Sequence, residues 1–402
     1  MIYNKFKDLS LSALGFGTMR LPMLEDGSID QALVNEMVDY AIEHGVNYFD
    51  TAYAYHGGFS ETSISAALRR HPRDKWKLAT KFPGYQTLSS YDPEVLFNEQ
   101  LEKCGVEYFD FYLLHNVNDD SIHTYLDPRW GIVEYFVEQK KLGRIKHLGF
   151  SCHCGVKGLE DFLDKVGEHM EFCQIQLNYL DWTLRDAKTK YELLTRRGIP
   201  VWVMEPVRGG ALSSLSSEDE LRMKALRPEE SISAWAFRFL QRLDNVTMIL
   251  SGMSNMEHMR DNVKTFSSFL PLTDSEAELT LEVAEKLKST VPCTACRYCC
   301  DGCPSGLDIP RLVAWYNGAL LGWGSAYMVQ MHAMPMDKLP SACISCGQCA
   351  SVCPQSIDVP DILSRLDAIF QRKRASEARE IQRDEEALRR RQERATAKNK
   401  HQ

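Results

Sequence analysis

Two short cysteine clusters in the last third of the chain have a spacing that suits electron-carrying metal centres. Both follow C-x2-C-x2-C-x3-C-P, and they comprise Cys293, Cys296, Cys299 and Cys303 before Pro304, and Cys343, Cys346, Cys349 and Cys353 before Pro354. Two-residue gaps let three thiolates of one tight loop bind three irons of a cubane, while the fourth cysteine points away and ligates the other cluster. The spacing therefore predicts two 4Fe-4S clusters rather than a disulfide framework.

The fourth cysteine of each motif predicts crossed ligation. One predicted site consists of Cys293, Cys296, Cys299 and Cys353, and the other of Cys343, Cys346, Cys349 and Cys303. Structural zinc and buried thiols are the alternatives, but zinc sites usually pair two C-x2-C units across a longer loop. Cys300 is an extra thiol beside Cys299, and we expect it to be a packed neighbour rather than a fifth ligand.

A second group of reactive side chains lies at the ends of predicted strands in the first part of the chain. Asp50 ends "VNYFD", and Tyr55 lies in the loop that follows. Lys81 is near the end of "WKLATKF", and His115 ends "DFYLLH". Each residue could have a purely structural role by itself, but four titratable residues at successive strand ends are hard to explain as stability features.

These four residues suit carbonyl reduction. An unperturbed tyrosine has a pKa of about 10, which matches acid catalysis poorly at neutral pH. A nearby Lys81 cation favours the phenolate and lowers that pKa, and Asp50 can hold the lysine in place. His115 can hydrogen-bond a substrate carbonyl, so a cofactor would supply hydride and Tyr55 the proton.

Eight apolar, β-rich segments alternate with helical patterns and must position these residues. The predicted strands are "LSALGFGT" (11–18), "VNYFD" (46–50), "WKLATKF" (76–82), "DFYLLH" (110–115), "IKHLGFS" (145–151), "FCQIQLN" (172–178), "IPVWVME" (199–205) and "VTMIL" (246–250). The pattern fits a closed parallel barrel or an open doubly wound sheet. No G-x-G-x-x-G follows the first strand, which counts against the open sheet.

Composition excludes several classes of protein. The chain has 402 residues, 44% of them hydrophobic and 25% charged, as expected for a globular protein. Its net charge of −8 does not favour nucleic-acid binding. No apolar run is long enough to span a membrane, and the N-terminus does not resemble a signal peptide. We therefore expect a cytoplasmic location, where thirteen cysteines indicate metal or redox chemistry.

An internal repeat defines the domain organisation. Residues 303–317 align with 353–367 at a period of fifty residues, and each copy follows a cysteine cluster and opens a helix. We predict a barrel over 1–270, a linker helix and mainly α-helical dicluster module over 271–370, and a charged helical or disordered tail over 371–402.

The first part of the chain resembles the aldo-keto reductase family. The resemblance covers roughly residues 1–265 and is carried by "LGFGTM", "FDTAYAY", "ATKF", "LLH", "GFS" and "QIQLN". It implies a (β/α)8 barrel with Asp50, Tyr55, Lys81 and His115 as the catalytic tetrad. It also implies a nicotinamide cofactor, NAD(H) or NADP(H), whose contacts map onto Thr18, Met19, Asp50, Ser151, Gln174, Met204, Pro206, Gly209, Gly210, Gly252, His258 and Asn262.

The sequence departs from the family pattern at several cofactor positions. Ser151 is followed by Cys152 where many members have asparagine, and Met204 stands where an aromatic ring usually stacks on the nicotinamide. Gly252 and His258 stand where NADP-preferring members have cations. A 2′-phosphate would lose charge-assisted partners there, so we expect NADH to bind at least as tightly as NADPH.

The cysteine module resembles dicluster ferredoxin domains, and the whole pattern resembles the iron–sulfur-containing aldo-keto reductases. This resemblance implies an oxidoreductase acting on a small carbonyl or alcohol substrate, whose clusters exchange electrons with a redox protein partner. One alternative replaces the nicotinamide with a flavin such as FMN, because flavins ordinarily convert hydride into single electrons. A second alternative is a non-catalytic redox sensor or docking subunit, against which the complete tetrad argues.

Overall fold

The chain forms a closed barrel of eight parallel strands preceded by an antiparallel hairpin. The computed structural model describes residues 1–86, 91–320, 331–332, 334–375 and 379. The hairpin strands are β1 (Tyr3–Phe6) and β2 (Leu9–Ser12). The barrel strands are β3 (Leu14–Gly17), β4 (Tyr48–Asp50), β5 (Lys77–Phe82), β6 (Phe109–Val117), β7 (Ile145–Cys152), β8 (Cys173–Gln176), β9 (Val201–Met204) and β10 (Val246–Gly252). The barrel interpretation is confirmed, and the open sheet is wrong.

Helices follow the strands around the barrel. They are α1 (Gln31–Glu43), α2 (Ser60–Leu68), α3 (Pro93–Cys104), α4 (Ile122–Tyr125), α5 (Ile132–Lys141), α6 (Val156–Val166), α7 (Asp181–Leu184), α8 (Ala187–Arg196), α9 (Ser217–Leu226), α10 (Ile232–Leu240), α11 (Met256–Thr265) and α12 (Asp274–Leu287). Helix α1 is followed by a glycine cap, in which Gly45 has a φ of 89° and its N–H donates to the carbonyl of Ile42. Among the described residues, no helix has the length and apolar character needed to cross a membrane.

The N-terminal hairpin packs against side chains near the N-terminal ends of the barrel strands. The Phe6 ring lies 5.0 Å from the Trp202 ring and 5.7 Å from the Phe111 ring, and all three side chains are buried. The sequence predicts a single strand over 11–18, whereas the chain turns at Ala13 from β2 into β3. Because the hairpin fills this end with aromatic rings, the opposite, C-terminal end is left for chemistry.

Contacts divide the chain into two compact units, Met1–Lys288 and Ser289–Gln402. In the second unit the sequence repeat is also a structural repeat. Left-handed backbone recurs at positions fifty residues apart, namely Ala295 and Ser345, Arg297 and Gly347, and Gly306 and Ser356. Each cysteine loop leads through a short helix, Tyr298–Asp301 or Gln348–Ser351, into a long one, Ile309–Leu320 or 359–375. Most of the predicted charged tail over 371–402 lies outside the described residues.

Gly149 in β7 is packed so tightly that a side chain there should destabilise the barrel. A Cβ atom at this position would lie 2.6 Å from the backbone oxygen of Phe172 and 2.6 Å from its ring. Since the backbone cannot move aside freely, we expect Gly149→Ala to lower stability by about 2 kcal/mol. The measurement is the midpoint of urea unfolding.

Gly155→Ala is the matched control. Its nearest neighbour would be Asp119 Oδ2 at 3.8 Å, and its φ of −60° is ordinary. An equal effect of the two substitutions would contradict the packing argument.

Candidate active site

A buried ion pair lies at the C-terminal end of the barrel strands. Lys81 Nζ on β5 donates to Asp50 Oδ1 on β4 at 2.5 Å and to the Thr51 carbonyl at 2.6 Å. The two charged side chains are 0% and 4% exposed. Burial lowers the pKa of Lys81 and raises that of Asp50, and each partner opposes the effect on the other. The pair thus keeps a cation at a place where it would otherwise be unfavourable.

Tyr55 lies within reach of that cation. Lys81 Nζ is 3.5 Å from the Tyr55 hydroxyl and 4.9 Å from the centre of its ring. The loop after β4 brings Tyr55 there through a short 3-10 turn, Tyr55–Gly58, in which His56 and Gly57 have left-handed backbone. The arrangement is suited to stabilising negative charge on the phenol oxygen.

His115 completes the group and is held between two tyrosine rings. Its ring lies edge-on to Tyr55, with centroids 5.8 Å apart, and to Tyr85, at 5.0 Å. The Tyr125 hydroxyl donates to the His115 carbonyl, which fixes the backbone of β6. Burial, and then the Lys81 cation, holds the His115 pKa well below its ordinary value. His115 is therefore neutral at pH 7, and within the described part of the chain its buried Nδ1 has no hydrogen-bond partner.

A buried polar network supports Lys81 from behind. Gln100 Nε2 on α3 donates to Glu61 Oε1 at 2.7 Å and to the Lys81 carbonyl at 3.1 Å. Thr80 Oγ1 also donates to Glu61 Oε1, at 2.6 Å. Burial raises the pKa of Glu61, and the hydrogen bonds from Thr80 and Gln100 oppose this. This network ties α2, α3 and β5 together and fixes the strand that carries the lysine.

The residues predicted to hold a nicotinamide ring are placed together on adjacent strands. Ser151 on β7 pairs in register with Gln174 on β8, and Ser151 Oγ accepts from the Asn116 N–H at 2.7 Å. Gln174 Nε2 lies 3.7 Å from the Met204 sulfur. Considering only described residues, the buried Gln174 Oε1 lacks a hydrogen-bond partner. An amide acceptor left open beside a hydroxyl fits a ligand carboxamide.

The remaining predicted cofactor positions lie along the same end of the barrel. Thr18 and Met19 follow β3, Pro206, Gly209 and Gly210 follow β9, Gly252 ends β10, and His258 and Asn262 lie in α11. The side chains of Thr18 and Asn262 already form hydrogen bonds within the protein. Thr18 Oγ1 lies 2.7 Å from Ser60 Oγ, and Asn262 Nδ2 donates to Ser251 Oγ at 2.9 Å.

Sequence reasoning missed a second set of charged residues at this end. Asp181 accepts from Asn178 Nδ2 at 2.7 Å and lies 3.3 Å from the Arg208 guanidinium, with both charged side chains almost fully buried. Arg20 and Glu205 form a further pair at 3.2 Å. Glu205 directly follows β9, and the other three residues lie three to five positions beyond a strand end, which is the signal that would have found them.

The second cysteine site is visible as a cavity in the C-terminal unit. Its walls contain the thiols of the second loop together with the last cysteine of the first loop, namely Cys343, Cys346, Cys349 and Cys303. Of these cysteines, Cys346 is exposed and Cys349 is buried. Four thiols around one cavity fit a cubane, for which each thiolate binds a different iron.

The first cysteine loop has the same local structure. The Cys299 thiol contacts Cys300 and interacts with Cys296 and Cys293. Cys293 also accepts a hydrogen bond from the Ala295 N–H at 3.4 Å. Across the described ranges, no three His, Cys, Asp or Glu side chains converge as ligands of one metal ion would. A cubane requires a different geometry, in which the thiolates surround a cavity.

Comparison with known families agrees with this division of the chain. Residues 13–285 match the aldo/keto reductase family, and residues 292–357 match the 4Fe-4S dicluster domain. The NADH-specific methylglyoxal reductase of Escherichia coli is 23% identical over 70% of this chain and 97% of its own length. L-galactose dehydrogenase of Arabidopsis thaliana is 26% identical over 69% of this chain and 93% of its own length.

Solved structures show the same barrel. The holo form of a Bacillus halodurans aldo-keto reductase, AKR11C1, has a TM-score of 0.56 and 25% identity over 70% of this chain and 96% of its own. An aldo-keto reductase from Klebsiella pneumoniae, in complex with NADPH, has a TM-score of 0.58 and 19% identity, covering 71% of this chain and 96% of its own. The match to the aldo/keto reductase family, over residues 13–285, spans well over half of this chain. The chain is therefore an oxidoreductase that belongs to the aldo/keto reductase family and carries a C-terminal 4Fe-4S dicluster domain.

Proposed function

We propose that the barrel interconverts a small carbonyl compound and its alcohol with a nicotinamide cofactor, and that the two clusters exchange electrons with a redox protein partner. The observation that carries the first part is the buried Lys81 cation, 2.5 Å from Asp50 and 3.5 Å from the Tyr55 hydroxyl. A buried cation is costly even when it is paired, so its proximity to a phenol supports a chemical role.

Tyr55 is the proposed proton donor. In the direction of reduction, its hydroxyl gives a proton to the carbonyl oxygen and becomes a phenolate. Lys81 stabilises that phenolate, and Asp50 keeps Lys81 protonated and correctly oriented despite its burial. In the direction of oxidation, the phenolate takes the proton back from the alcohol.

His115 is proposed to orient the substrate. Because its pKa lies well below the ordinary value, the neutral imidazole can hydrogen-bond the substrate oxygen without competing as a proton donor. The rings of Tyr55 and Tyr85 restrict its rotation.

Ser151 and Gln174 are proposed to hold the carboxamide of the nicotinamide, beside Met204. When bound, the nicotinamide supplies or accepts the hydride. NADH is the proposed preferred form, since the His258 ring nitrogen already accepts from the Ser254 N–H, at 3.4 Å, and position 252 has no side chain. A flavin is the alternative carrier, and visible absorption of cluster-free protein would distinguish it from nicotinamide.

The clusters would be held by the two crossed cysteine sets and would carry one electron each. Two clusters match the two electrons of one hydride, and the shared module keeps them close together. Cys346 is exposed and lines the cavity of the second cluster, so a partner would reach that cluster there.

Replacing the proton donor should abolish most of the carbonyl reduction. We expect Tyr55→Phe to lower kcat by about 100-fold or more, the scale of a lost general acid, while cofactor affinity stays within a few fold. Steady-state turnover over a panel of aldehydes and ketones, with cofactor titration, provides the measurement. A near-normal kcat in the variant would contradict the assignment of Tyr55.

Crossed ligation can be tested by comparing substitutions of Cys303 and Cys300, two cysteines of the same segment. We expect Cys303→Ala to lower iron content and to disturb the spectrum of the cluster bound by the second loop, because this thiol lines its cavity. Cys300→Ala is the matched control and should retain both clusters. Iron analysis and electron paramagnetic resonance of anaerobic protein supply the measurement. If Cys303→Ala disturbs only the cluster of its own loop, the crossed assignment is wrong.

In the proposed function, the clusters are needed for one-electron exchange with a partner and are not needed for binding the nicotinamide. In Cys343→Ala we expect turnover with reduced viologen to fall at least in proportion to the lost cluster, while cofactor affinity survives because the barrel is a separate compact unit. Viologen-linked turnover and nicotinamide titration are compared with the wild type. Unchanged viologen-linked turnover after loss of a cluster would assign the module a structural role instead.

A further inference from the structure

Lys338 lies beside the cavity of the second cysteine loop, although it belongs to neither of the two proposed ligand sets. Its ammonium group donates to the Ser305 carbonyl at 3.0 Å and to the Gly306 carbonyl at 3.3 Å. Ser305 lines the cavity together with Cys303 and Cys343. The lysine cation is therefore fixed to the wall of the space that a cluster would fill.

The same contacts join the two cysteine segments. Lys338 ends the short turn Met336–Lys338 that precedes the second loop, whereas the carbonyls that it binds follow the last cysteine of the first loop. Ser305 Oγ donates to the Ala342 carbonyl at 2.7 Å, which is a further connection between these segments. The hydrogen bonds thus hold the end of the first loop next to the second.

Gly306 leaves the space that the ammonium group occupies. Its φ is 56°, and a Cβ atom at this position would lie 3.1 Å from Lys338 Nζ. The matching residue of the repeat is Ser356, which has a φ of 53°. Since a serine makes the same turn in the second copy, the turn alone does not require glycine. The glycine of the first copy instead permits the close approach of the lysine.

Cations beside the first copy are accompanied by carboxylates. Lys288, fifty positions before the lysine of the second copy, pairs with Glu285 at 2.5 Å. Arg297 lies within the first loop and pairs with Asp308 at 3.0 Å. A carboxylate at such a distance offsets much of the field of the cation that it faces.

The charge of Lys338 is less completely balanced. Its printed hydrogen bonds are to neutral backbone carbonyls, and the Asp337 carboxylate lies 3.9 Å away and is 75% exposed. Water and salt screen an exposed carboxylate of this kind effectively. The lysine side chain is itself 40% exposed, so its field at the cavity is reduced but not removed.

We infer that Lys338 makes the second cluster the easier of the two to reduce, so that this cluster accepts an electron from the partner first. The inference rests on the proposed pair of clusters. A cubane with four thiolate ligands is an anion, and one added electron increases its negative charge. A nearby cation stabilises the reduced form more than the oxidised form and therefore raises the reduction potential. The exposed Cys346 belongs to the same site, where a partner would reach it.

The test is a redox titration of anaerobic full-length protein, followed by electron paramagnetic resonance. The second cluster is identified as the one whose signal is lost in Cys343→Ala. At a fixed solution potential, we expect Lys338→Gln to lower the ratio of reduced to oxidised second cluster by about 5-fold, the scale of one partly screened charge. The first cluster should be unchanged. Lys338→Arg, which keeps the charge, should resemble the wild type.

Two control variants separate the charge from the assembly of the site. Ser305→Ala removes the hydrogen bond to the Ala342 carbonyl but keeps the cation, so both potentials should remain unchanged. Lys288→Gln removes the matching lysine of the first copy, which pairs with Glu285, and should also leave both potentials unchanged. Iron analysis of each variant checks that both clusters are present.

An unchanged potential of the second cluster in Lys338→Gln would overturn the inference, and so would an equal shift in Ser305→Ala. If Lys338→Gln loses the cluster, the order of reduction in the wild type is the deciding measurement. Reduction of the first cluster before the second would then overturn the inference. Wild-type protein without iron would instead contradict the proposed clusters themselves.

Discussion

The candidate active site depends on one constraint, which is that a lysine cation is kept charged inside the barrel. Lys81 is fully buried, and desolvation alone would favour its neutral form. Asp50 on the adjacent strand opposes this effect at 2.5 Å, and the Thr51 carbonyl just after that strand accepts a hydrogen bond from Lys81 at 2.6 Å. Those distances exist only because β4 and β5 are hydrogen-bonded in a register that aligns Asp50 with Ala79. A slip of that register would leave a buried charge without its partner, at a cost of several kcal/mol.

The rest of the barrel can be understood as support for that pair. Glu61 and Gln100 fix the backbone of β5, and Tyr125 fixes that of β6 next to it. The aromatic cluster under Phe6 fills the opposite end and keeps the strands closed. Polar groups and apolar packing are thus separated along the strand direction, and chemistry is confined to the C-terminal end.

In the dicluster unit, the backbone conformation of two short cysteine loops is the main constraint. Two copies of one cysteine loop have left-handed backbone at matching positions, although Ala295, Ser345 and Ser356 are not glycine. Such conformations are costly for residues with a Cβ atom and persist where the surrounding structure requires them. In the second loop these conformations accompany three cysteines, Cys343, Cys346 and Cys349, that line one cavity. Cys303, the fourth cysteine of the first loop, lines the same cavity as Cys343, Cys346 and Cys349, so the cavity of the second loop includes a residue of the first.

Sequence patterns were informative wherever a local rule applied. Strand and helix periodicity predicted the eight-stranded barrel, and the strand ends predicted the four residues Asp50, Tyr55, Lys81 and His115. The two predictions share a cause, because alternation of strands and helices places the C-terminal ends of all the parallel strands on one face of the barrel. The barrel is confirmed, and the catalytic role of the four residues stays a prediction. The hairpin of β1 and β2 was not predicted, since its residues are few and their packing partners, such as Trp202, are distant in the chain.

The sequence by itself determined the chemistry that is available in this protein. It shows which residues can titrate, which predicted strands carry those residues, and which thiols have the spacing of a cubane loop. Only the tertiary structure decided which of these groups meet. Arg20 and Glu205 are 185 positions apart and become partners because barrel closure brings the ends of β3, β10 and β9 side by side. Cys303 joins Cys343 because two helical segments pack around one cavity. Residue spacing along the chain encodes local geometry, whereas contacts between distant segments depend on how the whole chain buries its apolar surface.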